Sequence, residues 1–297
     1  MRSKVLIAYL TLCVIWGTTW IVLKISLTGT PPILGVGLRF GISSIILWSI
    51  FLWRKESLIL TPNAIKAYLA FGILNFGCSY SLTYWGTQFI YSGMSSVLWA
   101  TLPIFIAIMA HFMIPGNRLN MKIILGGTIG LIGTFFIFRP QDGTSSNFQM
   151  IGVWAVLFAV VIAVWPNIFY KIHQSEIPHL HLNTVSQSIS ALILIPTSFL
   201  VENPQNMIWD FPNVSALLYL AVFGSVIAWS IFFWLFGHLT ITQISTVALI
   251  PPVIALILGW VFLNETLTPL MIAGSALVLG GVFIINSTQK TPSGTTI

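Results

Sequence analysis

Charged side chains are scarce in this sequence. Only 6% of its 297 residues are Asp, Glu, Lys or Arg, whereas 57% are hydrophobic. Soluble domains carry roughly 25% charged residues, so a chain of this composition has too few polar side chains to cover a surface that faces water. The composition therefore excludes an ordinary soluble protein and predicts one that is embedded in a lipid bilayer.

Cysteine is rare as well, and the motifs of common enzymes are missing. Cys13 and Cys78 are the only cysteines and both lie in apolar runs, which argues against a disulfide framework. The sequence has no Walker loop, HExxH motif or CxxC motif, and no Ser, His and Asp set that the topology could bring together. We therefore expect no catalysis, no cofactor and no bound metal.

The apolar residues form ten runs, each long enough for a helix to cross a hydrocarbon core of about 30 Å. Such spans must be helical, because backbone groups in lipid have to be satisfied within the segment. The sequence predicts an all-α polytopic membrane protein with ten transmembrane helices at residues 5–27, 33–53, 65–87, 92–114, 121–138, 151–172, 181–201, 213–236, 241–263 and 269–286. The polar tail, residues 289–297, is expected to be disordered.

The basic residues indicate the orientation of these spans. If the N-terminus is cytoplasmic, nine Lys and Arg residues lie at the inner face and only Arg139 lies in an outer loop. This is the positive-inside pattern, and it places both termini in the cytoplasm, with the chain in the cell inner membrane. The net charge of +6 therefore reflects topology and does not predict nucleic-acid binding.

The chain is built as two halves of one plan. Pro103 and Pro252 are 149 positions apart, and Trp16 and Trp165 are separated by the same interval. Five spans per half mean that the second half starts on the opposite side of the membrane. The sequence thus predicts two inverted five-helix repeats, residues 1–144 and 145–288, an arrangement common in secondary transporters.

The third span carries a polar stripe. Its members recur every four residues and are Asn75, Ser79, Thr83 and Thr87. This spacing puts them on one helix face, where they either hydrogen-bond to neighbouring helices or line a water-filled path. Tyr80 and Tyr84 lie beside the stripe, and a lining role is favoured for them because buried phenols need partners.

Other aromatic residues lie deep inside their spans, away from the membrane interfaces where tryptophan is commonly found. They are Trp16, Trp99, Trp165 and Trp229. Core packing explains each of them taken singly. The repeat relationship of Trp16 and Trp165 instead favours paired positions on either side of a central axis.

Two basic residues fall inside predicted spans, where charge is costly and indicates function. Lys24 lies near the outer end of its span, so its ammonium group can reach the interface. Arg39 lies deeper. It either lines the path and favours an anionic or zwitterionic substrate group, or locks an outer gate through carboxylate or backbone carbonyl partners.

Prolines and glycines mark the remaining special positions. Pro103, Pro251 and Pro252 lie inside spans, where proline removes a helical hydrogen bond and tends to kink the helix. The resulting bends are either static or gating elements. Small residues form a close-packing face in the fifth and tenth spans, at Gly126, Gly130, Gly133, Gly274, Ala276, Gly280 and Gly281, which predicts a scaffold or dimer contact.

These residues carry a family resemblance. The chain contains Trp16-Gly17-Thr18-Thr19-Trp20 with Lys24 downstream, Pro31 before Arg39-Phe40, the Pro103 segment, and Pro252 to Leu267 with Asn264-Glu265-Thr266 followed by Gly274. In order and spacing this set resembles the EamA family of the drug/metabolite transporter superfamily. The resemblance implies two five-helix repeats around a central cavity, alternating access, and movement of small metabolites, commonly the export of amino acids.

The sequence departs from that family at one point. The family often has a Glu in the first repeat that matches Glu265, but this chain has Pro115-Gly116-Asn117-Arg118 there. Glu265 is therefore expected to be a helix cap or gate residue rather than a substrate ligand.

The resulting hypothesis is an exporter of amino acids or related amphipathic metabolites, with a site near the midplane at the repeat interface. Tyr80, Tyr84, Trp99, Trp165 and Trp229 would form an aromatic cavity, with polar contacts from Trp16, Asn75, Asn167 and Arg39. No span has Asp or Glu in its middle, which favours facilitated movement, exchange or weak proton coupling. His111 and His238 are more readily structural than coupling residues.

Two other classes of protein compete with this hypothesis. A non-transporting membrane scaffold or assembly partner, including a homodimer, would explain the glycine faces without a cavity. A membrane-embedded enzyme is disfavoured because acid, base and metal-ligand residues do not cluster.

Overall fold

The structure is a computed structural model that describes residues 3–113, 121–137, 147–239 and 246–286. Within these ranges the chain forms helices joined by turns, and no strand occurs in them. Helices satisfy their own backbone groups, as an apolar chain in lipid requires. The prediction of an all-α protein is confirmed for this part of the chain. The predicted tail, residues 289–297, and the family departure at Pro115–Arg118 lie outside the described residues.

The helices follow the predicted spans closely. Those of the first half are α1 (Ser3–Ser26), α2 (Pro32–Trp53), α3 (Pro62–Leu69), α4 (Tyr80–Thr87), α5 (Ser92–Trp99), α6 (Leu102–Met113) and α7 (Met121–Ile137). Those of the second half are α8 (Asn147–His173), α9 (His179–Val201), α10 (Phe211–Ala221), α11 (Ala228–Phe236), α12 (Ile250–Leu263) and α13 (Pro269–Asn286). A short 3-10 turn, Pro204–Asn206, precedes α10, and another, Thr246–Leu249, precedes α12.

Several of these segments are long and apolar enough to cross a membrane. They are Ser3–Ser26, Pro32–Trp53, Ser92–Met113, Phe148–His173, His179–Val201 and Phe211–Leu235. Shorter apolar helices cover Met121–Phe136, Val247–Leu263 and Pro269–Ile285. The protein is therefore a polytopic helical membrane protein.

Two spans contain wide π-helical turns. Ala70–Ser79 joins α3 to α4, and Val222–Ile227 joins α10 to α11. A π-turn shifts backbone hydrogen bonds from the fourth to the fifth residue along the chain and frequently occurs at functional sites. The second turn leaves the backbone carbonyl of Gly224 without its usual helical donor, because Ala228 donates its N–H to Phe223.

The prolines that were predicted as gating elements lie at the starts of helical segments, so the prediction that they kink helices from within is wrong for them. The fourth span breaks at Ala100 and Thr101, and Pro103 is the second residue of the new helix α6. Pro251 and Pro252 likewise lie in the first turn of α12. Proline at such a position removes no helical hydrogen bond, because the first backbone N–H groups of a helix have no partner within it.

Helices of the two halves pack against each other in pairs. Along α2 and α9, Trp48 donates its indole N–H to Ser188 at 2.9 Å, and the Ser43 hydroxyl donates to Gln187. Helices α7 and α13 meet along their glycines, where an added Cβ on Gly133 would lie 2.5 Å from the Gly274 carbonyl oxygen. The small-residue face is thus used inside this chain.

Carboxylates hold two helix N-termini at the same end of the bundle. Glu202 accepts hydrogen bonds from the backbone N–H groups of Ile33 at 2.9 Å and Leu34 at 3.0 Å, at the start of α2. Glu265 accepts from the Ser92 N–H at 2.7 Å, at the start of α5. A carboxylate is favourable there because helix N-termini present free N–H groups and positive partial charge. The expectation that Glu265 is a helix cap is confirmed.

Lys24 binds the C-terminal end of a helix. Its ammonium group donates to the backbone carbonyls of Thr87 at 2.7 Å, Gln88 at 3.0 Å and Ile90 at 2.7 Å, where the α4 segment ends. The last carbonyls of a helix have no intrahelical donors, and a cation there is favourable. Lys24 therefore joins α1 to the end of the third span.

Candidate functional site

An aromatic cluster surrounds the indole of Trp229, which lies in the first turn of α11 and is 4% exposed. Its ring centroid is 4.9 Å from Phe76, 5.3 Å from Phe233, 5.4 Å from Phe232 and 5.8 Å from Trp16. Aromatic pairs at such separations contribute roughly 0.5–1.5 kcal/mol beyond the burial of their area. Two residues of the predicted cavity, Trp16 and Trp229, are therefore in direct contact.

Hydrogen bonds connect this cluster to two further predicted residues. Trp229 donates its indole N–H to the Tyr80 hydroxyl at 3.1 Å. Trp99 lies with its ring 6.1 Å from that of Tyr80 and donates its own N–H to the Thr83 hydroxyl at 3.0 Å. Buried indoles usually find such acceptors, and here both acceptors come from α4.

Arg39 lies beside the cluster and is 4% exposed. Its Nε donates to Ser225 Oγ at 2.7 Å, its Nη2 to the Gly224 carbonyl at 3.0 Å, and its Nη1 to the Tyr84 hydroxyl at 3.1 Å. The guanidinium carbon also lies 5.1 Å from the Tyr80 ring centroid, within the range of a cation–π interaction. All the hydrogen-bond partners are neutral.

The π-helical turn after α10 explains why a carbonyl is available for this arginine. Ala228 donates its backbone N–H to Phe223, five residues back, rather than to Gly224. Ser225 donates its hydroxyl to the Leu220 carbonyl at 3.0 Å and so presents its oxygen to the guanidinium. A Cβ on Gly224 would lie 2.9 Å from Arg39 Nη2, so the approach depends on glycine at this position.

Arg39 makes contacts that fit both of the roles expected for it. It makes a backbone carbonyl contact, as expected for a gate, and it also adjoins Tyr80 and Tyr84, as expected for a residue of the path. Among the residues described, none of its hydrogen-bond partners is a carboxylate. The site brings together Trp16, Arg39, Tyr80, Tyr84, Trp99 and Trp229.

The polar stripe of the third span has a different role. Ser79 donates to the Ala159 carbonyl of α8 at 2.7 Å, and Thr87 is hydrogen-bonded to Ser95 of α5 at 2.9 Å. Thr83 donates to the Ser79 carbonyl at 2.8 Å. These side chains are buried against neighbouring helices, so the structure supports the packing alternative over a water-filled lining.

Three predicted site residues have no direct hydrogen bond or ring contact with Arg39 or Trp229 among the described residues. Trp165 stacks on Phe169 with centroids 5.4 Å apart, and Asn167 donates to the Ala163 carbonyl of its own helix at 2.8 Å. Asn75 is fully buried, and neither amide atom has a hydrogen-bond partner among the described residues. The substrate role of these three residues stays a prediction.

Sequence reasoning missed several residues of the site. They are Phe71, Phe76, Gly224, Ser225, Phe232 and Phe233. The phenylalanines resemble any other core residues in a chain that is 13% aromatic. Ser225 and Gly224 carried no signal, because a π-turn cannot be recognised from composition. The separation of 149 positions that relates Trp16 to Trp165 also relates Tyr80 to Trp229, so it could have predicted that these two residues are paired.

The sequence profile of the EamA-like transporter family matches this chain twice, over residues 3–139 and over residues 150–287. The chain belongs to the EamA-like transporter family. The resemblance seen in the sequence is thereby confirmed. As an EamA-like protein with several membrane-crossing helices, it is a multi-pass membrane protein of a transporter family.

Two similar proteins that are named as transporters align with this chain over more than nine-tenths of their own length. "Uncharacterized transporter YoaV" of Bacillus subtilis (strain 168) is 30% identical over 283 residues, which cover 95% of this EamA-like chain and 96% of YoaV. A Salmonella typhimurium protein named "Probable amino-acid metabolite efflux pump" is 26% identical and aligns over 93% of this chain and 92% of its own. A crystal structure with 18% identity superposes with a TM-score of 0.70 over 96% of both chains, which shows a shared fold.

Proposed function

We propose that this EamA-like protein exports small organic metabolites, such as amino acids, by alternating access across the cell inner membrane. The observation that carries the proposal is the site around Arg39, Tyr80 and Trp229. Aromatic rings next to a fixed cation suit an amphipathic solute with one apolar and one charged end. A transporter needs such a site at the interface of its two halves.

The proposed architecture is ten transmembrane helices in two inverted repeats, residues 1–144 and 145–288. The two profile matches support this division. So does the π-helical turn Val222–Ile227, which lies 149 positions after residues 73–78 within the turn Ala70–Ser79. Contacts between α2 and α9 and between α7 and α13 pair helices that would be equivalent in the two repeats. Both termini are proposed to be cytoplasmic.

Amino acids are proposed as substrates because of the resemblance in sequence to the efflux pump of Salmonella typhimurium. The complete substrate site would include Trp165, Asn167 and Asn75, which contact the solute when the halves rearrange. Pro103 and the pair Pro251 and Pro252 are proposed as gating positions, because each adjoins a break between helical segments where a rigid helix can pivot.

A membrane scaffold is less well supported. Three glycines of the predicted docking face, Gly126, Gly133 and Gly281, already pack between α7 and α13. A homodimer would therefore use a surface other than the contact between α7 and α13. Membership in a transporter family also supports the expectation that the protein is not an enzyme.

Transport by the purified protein in liposomes tests the proposed function. Counterflow against a panel of amino acids, with and without a pH gradient, should reveal saturable uptake above that of protein-free liposomes. Trp229→Ala should raise the half-saturation concentration at least several-fold because it removes the centre of the cluster. Trp209→Ala, at a residue that is 70% exposed, is the matched control.

Two results would contradict the proposal. The first is the absence of saturable uptake of every solute by folded protein. The second is unchanged uptake by both Trp229→Ala and Tyr84→Ala while the protein remains folded, which would mean that the site lies elsewhere.

A further inference from the structure

The side chain of Arg39 is a buried positive charge whose hydrogen-bond partners are all neutral. The hydroxyls of Ser225 and Tyr84 and the carbonyl of Gly224 accept from its three nitrogens. Neutral dipoles lower the cost of burying a charge, but they leave the charge itself uncompensated. In a membrane-embedded core such a residue indicates a functional partner.

No acidic side chain of the described chain is available as that partner. The sequence has six acidic residues. Those described are engaged at helix ends or at the surface: Glu56 with His181, Glu176 with Asn63, Glu202 with Ile33 and Leu34, Asp210 with Asn213, and Glu265 with Ser92. The sixth, Asp142, lies outside the described residues.

The guanidinium also retains hydrogen-bonding capacity. It carries five N–H groups, and its three hydrogen bonds use one N–H on each nitrogen. One N–H therefore remains on each of the two terminal nitrogens of Arg39. Arginine binds carboxylates and similar oxyanions through a planar pair of donors.

The surroundings indicate what is attached to the anion. Tyr80 lies 5.1 Å from the guanidinium carbon and also accepts the hydrogen bond of Trp229. It therefore joins the cation to the aromatic cluster, so a ligand held at Arg39 places its body against flat apolar rings. An ammonium group on that ligand would find no carboxylate within the described site.

We propose that Arg39 binds the oxyanion of the substrate and that this protein prefers apolar organic monoanions, carboxylates or sulfonates, over zwitterions and cations with the same apolar body. This inference rests on the proposed transport function and narrows its substrate class. It extends beyond amino acids, because only the anionic end of a zwitterion has a charged partner at this site.

Three probes with one shared phenylethyl body test the proposal. They are 2-phenylethanesulfonate, a permanent anion; phenylalanine, a zwitterion; and 2-phenylethyltrimethylammonium, a permanent cation. The permanent charges prevent diffusion across the bilayer as neutral species. Uptake of each probe is measured in liposomes that contain the purified protein and compared with uptake in protein-free liposomes. We expect the anion to be taken up with the lowest half-saturation concentration and the cation not to be transported.

Variants at Arg39 test whether this side chain causes the preference. Arg39→Gln should raise the half-saturation concentration for the sulfonate about 10- to 100-fold. This is the loss in affinity expected when one hydrogen bond to a charged group is removed. Arg39→Lys keeps the charge but loses the paired donors, so its defect should be smaller. Arg54→Gln is the matched control, because Arg54 is exposed at the end of α2. Folding of each variant is checked by size-exclusion chromatography.

The outcomes separate this inference from the function on which it rests. Saturable uptake of phenylalanine that equals or exceeds uptake of the sulfonate would overturn the anion preference and leave the transporter intact. Uptake of the cation alone would do the same. Uptake of no probe overturns the inference, and the amino-acid panel then decides the function. If Arg39→Gln does not fold, the selectivity of the natural protein among the three probes still decides the proposal.

Discussion

The indole N–H of Trp229 donates to the hydroxyl of Tyr80 at 3.1 Å, and these two residues are 149 positions apart in the chain. The same interval separates Trp16 from Trp165 and Pro103 from Pro252. If the halves are inverted repeats, Tyr80 and Trp229 are equivalent residues that meet at their own symmetry axis. A solute held there would contact both halves at once, as alternating access requires.

The hydrogen bond between Tyr80 and Trp229 can be tested by removing its acceptor. Tyr80→Phe leaves a buried indole N–H without a partner, and we expect it to destabilise the folded protein by about 1 kcal/mol. Trp229→Phe should lower the free energy of unfolding less in the Tyr80→Phe protein than in the natural protein, because the hydrogen bond between the two residues is already lost. Thermal unfolding of purified protein in detergent measures both effects. Tyr91→Phe is the control, since its hydroxyl bonds Thr266 at an exposed position; additive effects of the two core variants would contradict the prediction.

Glu265 should matter for stability and not for substrate affinity. Glu265→Ala leaves the N-terminus of α5 without its cap, with the Ser92 N–H buried and unpaired. We expect a loss of about 1–3 kcal/mol in the free energy of unfolding and an unchanged half-saturation concentration in liposomes. Glu176→Ala, at an exposed acid whose carboxylate accepts from Asn63, should change neither quantity. A large change in affinity for Glu265→Ala would mean that this carboxylate takes part in recognition.

Adjacent glycines in α13 should respond differently to the same substitution. A Cβ on Gly281 would fall on the carbonyl oxygen of Gly126 and on the backbone of Gly130, so α7 and α13 would have to separate. We expect Gly281→Ala to destabilise the protein by about 1–3 kcal/mol. No atom lies within 4 Å of a Cβ on Gly280, and Gly280→Ala should be neutral or stabilising by up to about 1 kcal/mol. Equal melting temperatures for the two variants would show that the helices are not held at this distance.

The proposed orientation predicts which loops a membrane-impermeant thiol reagent reaches. In a background with Cys13 and Cys78 replaced by Ala, Gln205→Cys should be labelled in intact cells, and Lys55→Cys only after the membrane is permeabilised. Both residues are exposed in the structure. The physical reason is that Lys55 belongs to the basic loops retained in the cytoplasm. Labelling of Lys55→Cys in intact cells, with Gln205→Cys protected, would reverse the topology.

Some structural roles could be predicted from single residues and others could not. Glu265 was expected to be a cap or gate residue because the first half of the chain lacks the matching Glu of the family, and it caps α5. The prolines were expected to kink helices, but they begin new ones, because composition does not show where a helix breaks before a proline. The four-residue spacing showed that the polar stripe that includes Ser79 lies on one face of its helix. Spacing alone does not show that this face packs against α8.

The sequence by itself determined that the chain is a helical membrane protein, where most of its spans lie, and that it resembles EamA transporters. These properties follow from the length and polarity of local segments, because each segment must cross the bilayer and satisfy its own backbone groups. Only the tertiary structure decided the partners of Arg39, because the Gly224 carbonyl and the Ser225 hydroxyl come from a π-turn 185 and 186 residues away along the chain. The chemistry of the candidate site depends on which distant segments meet, and no local pattern encodes that contact.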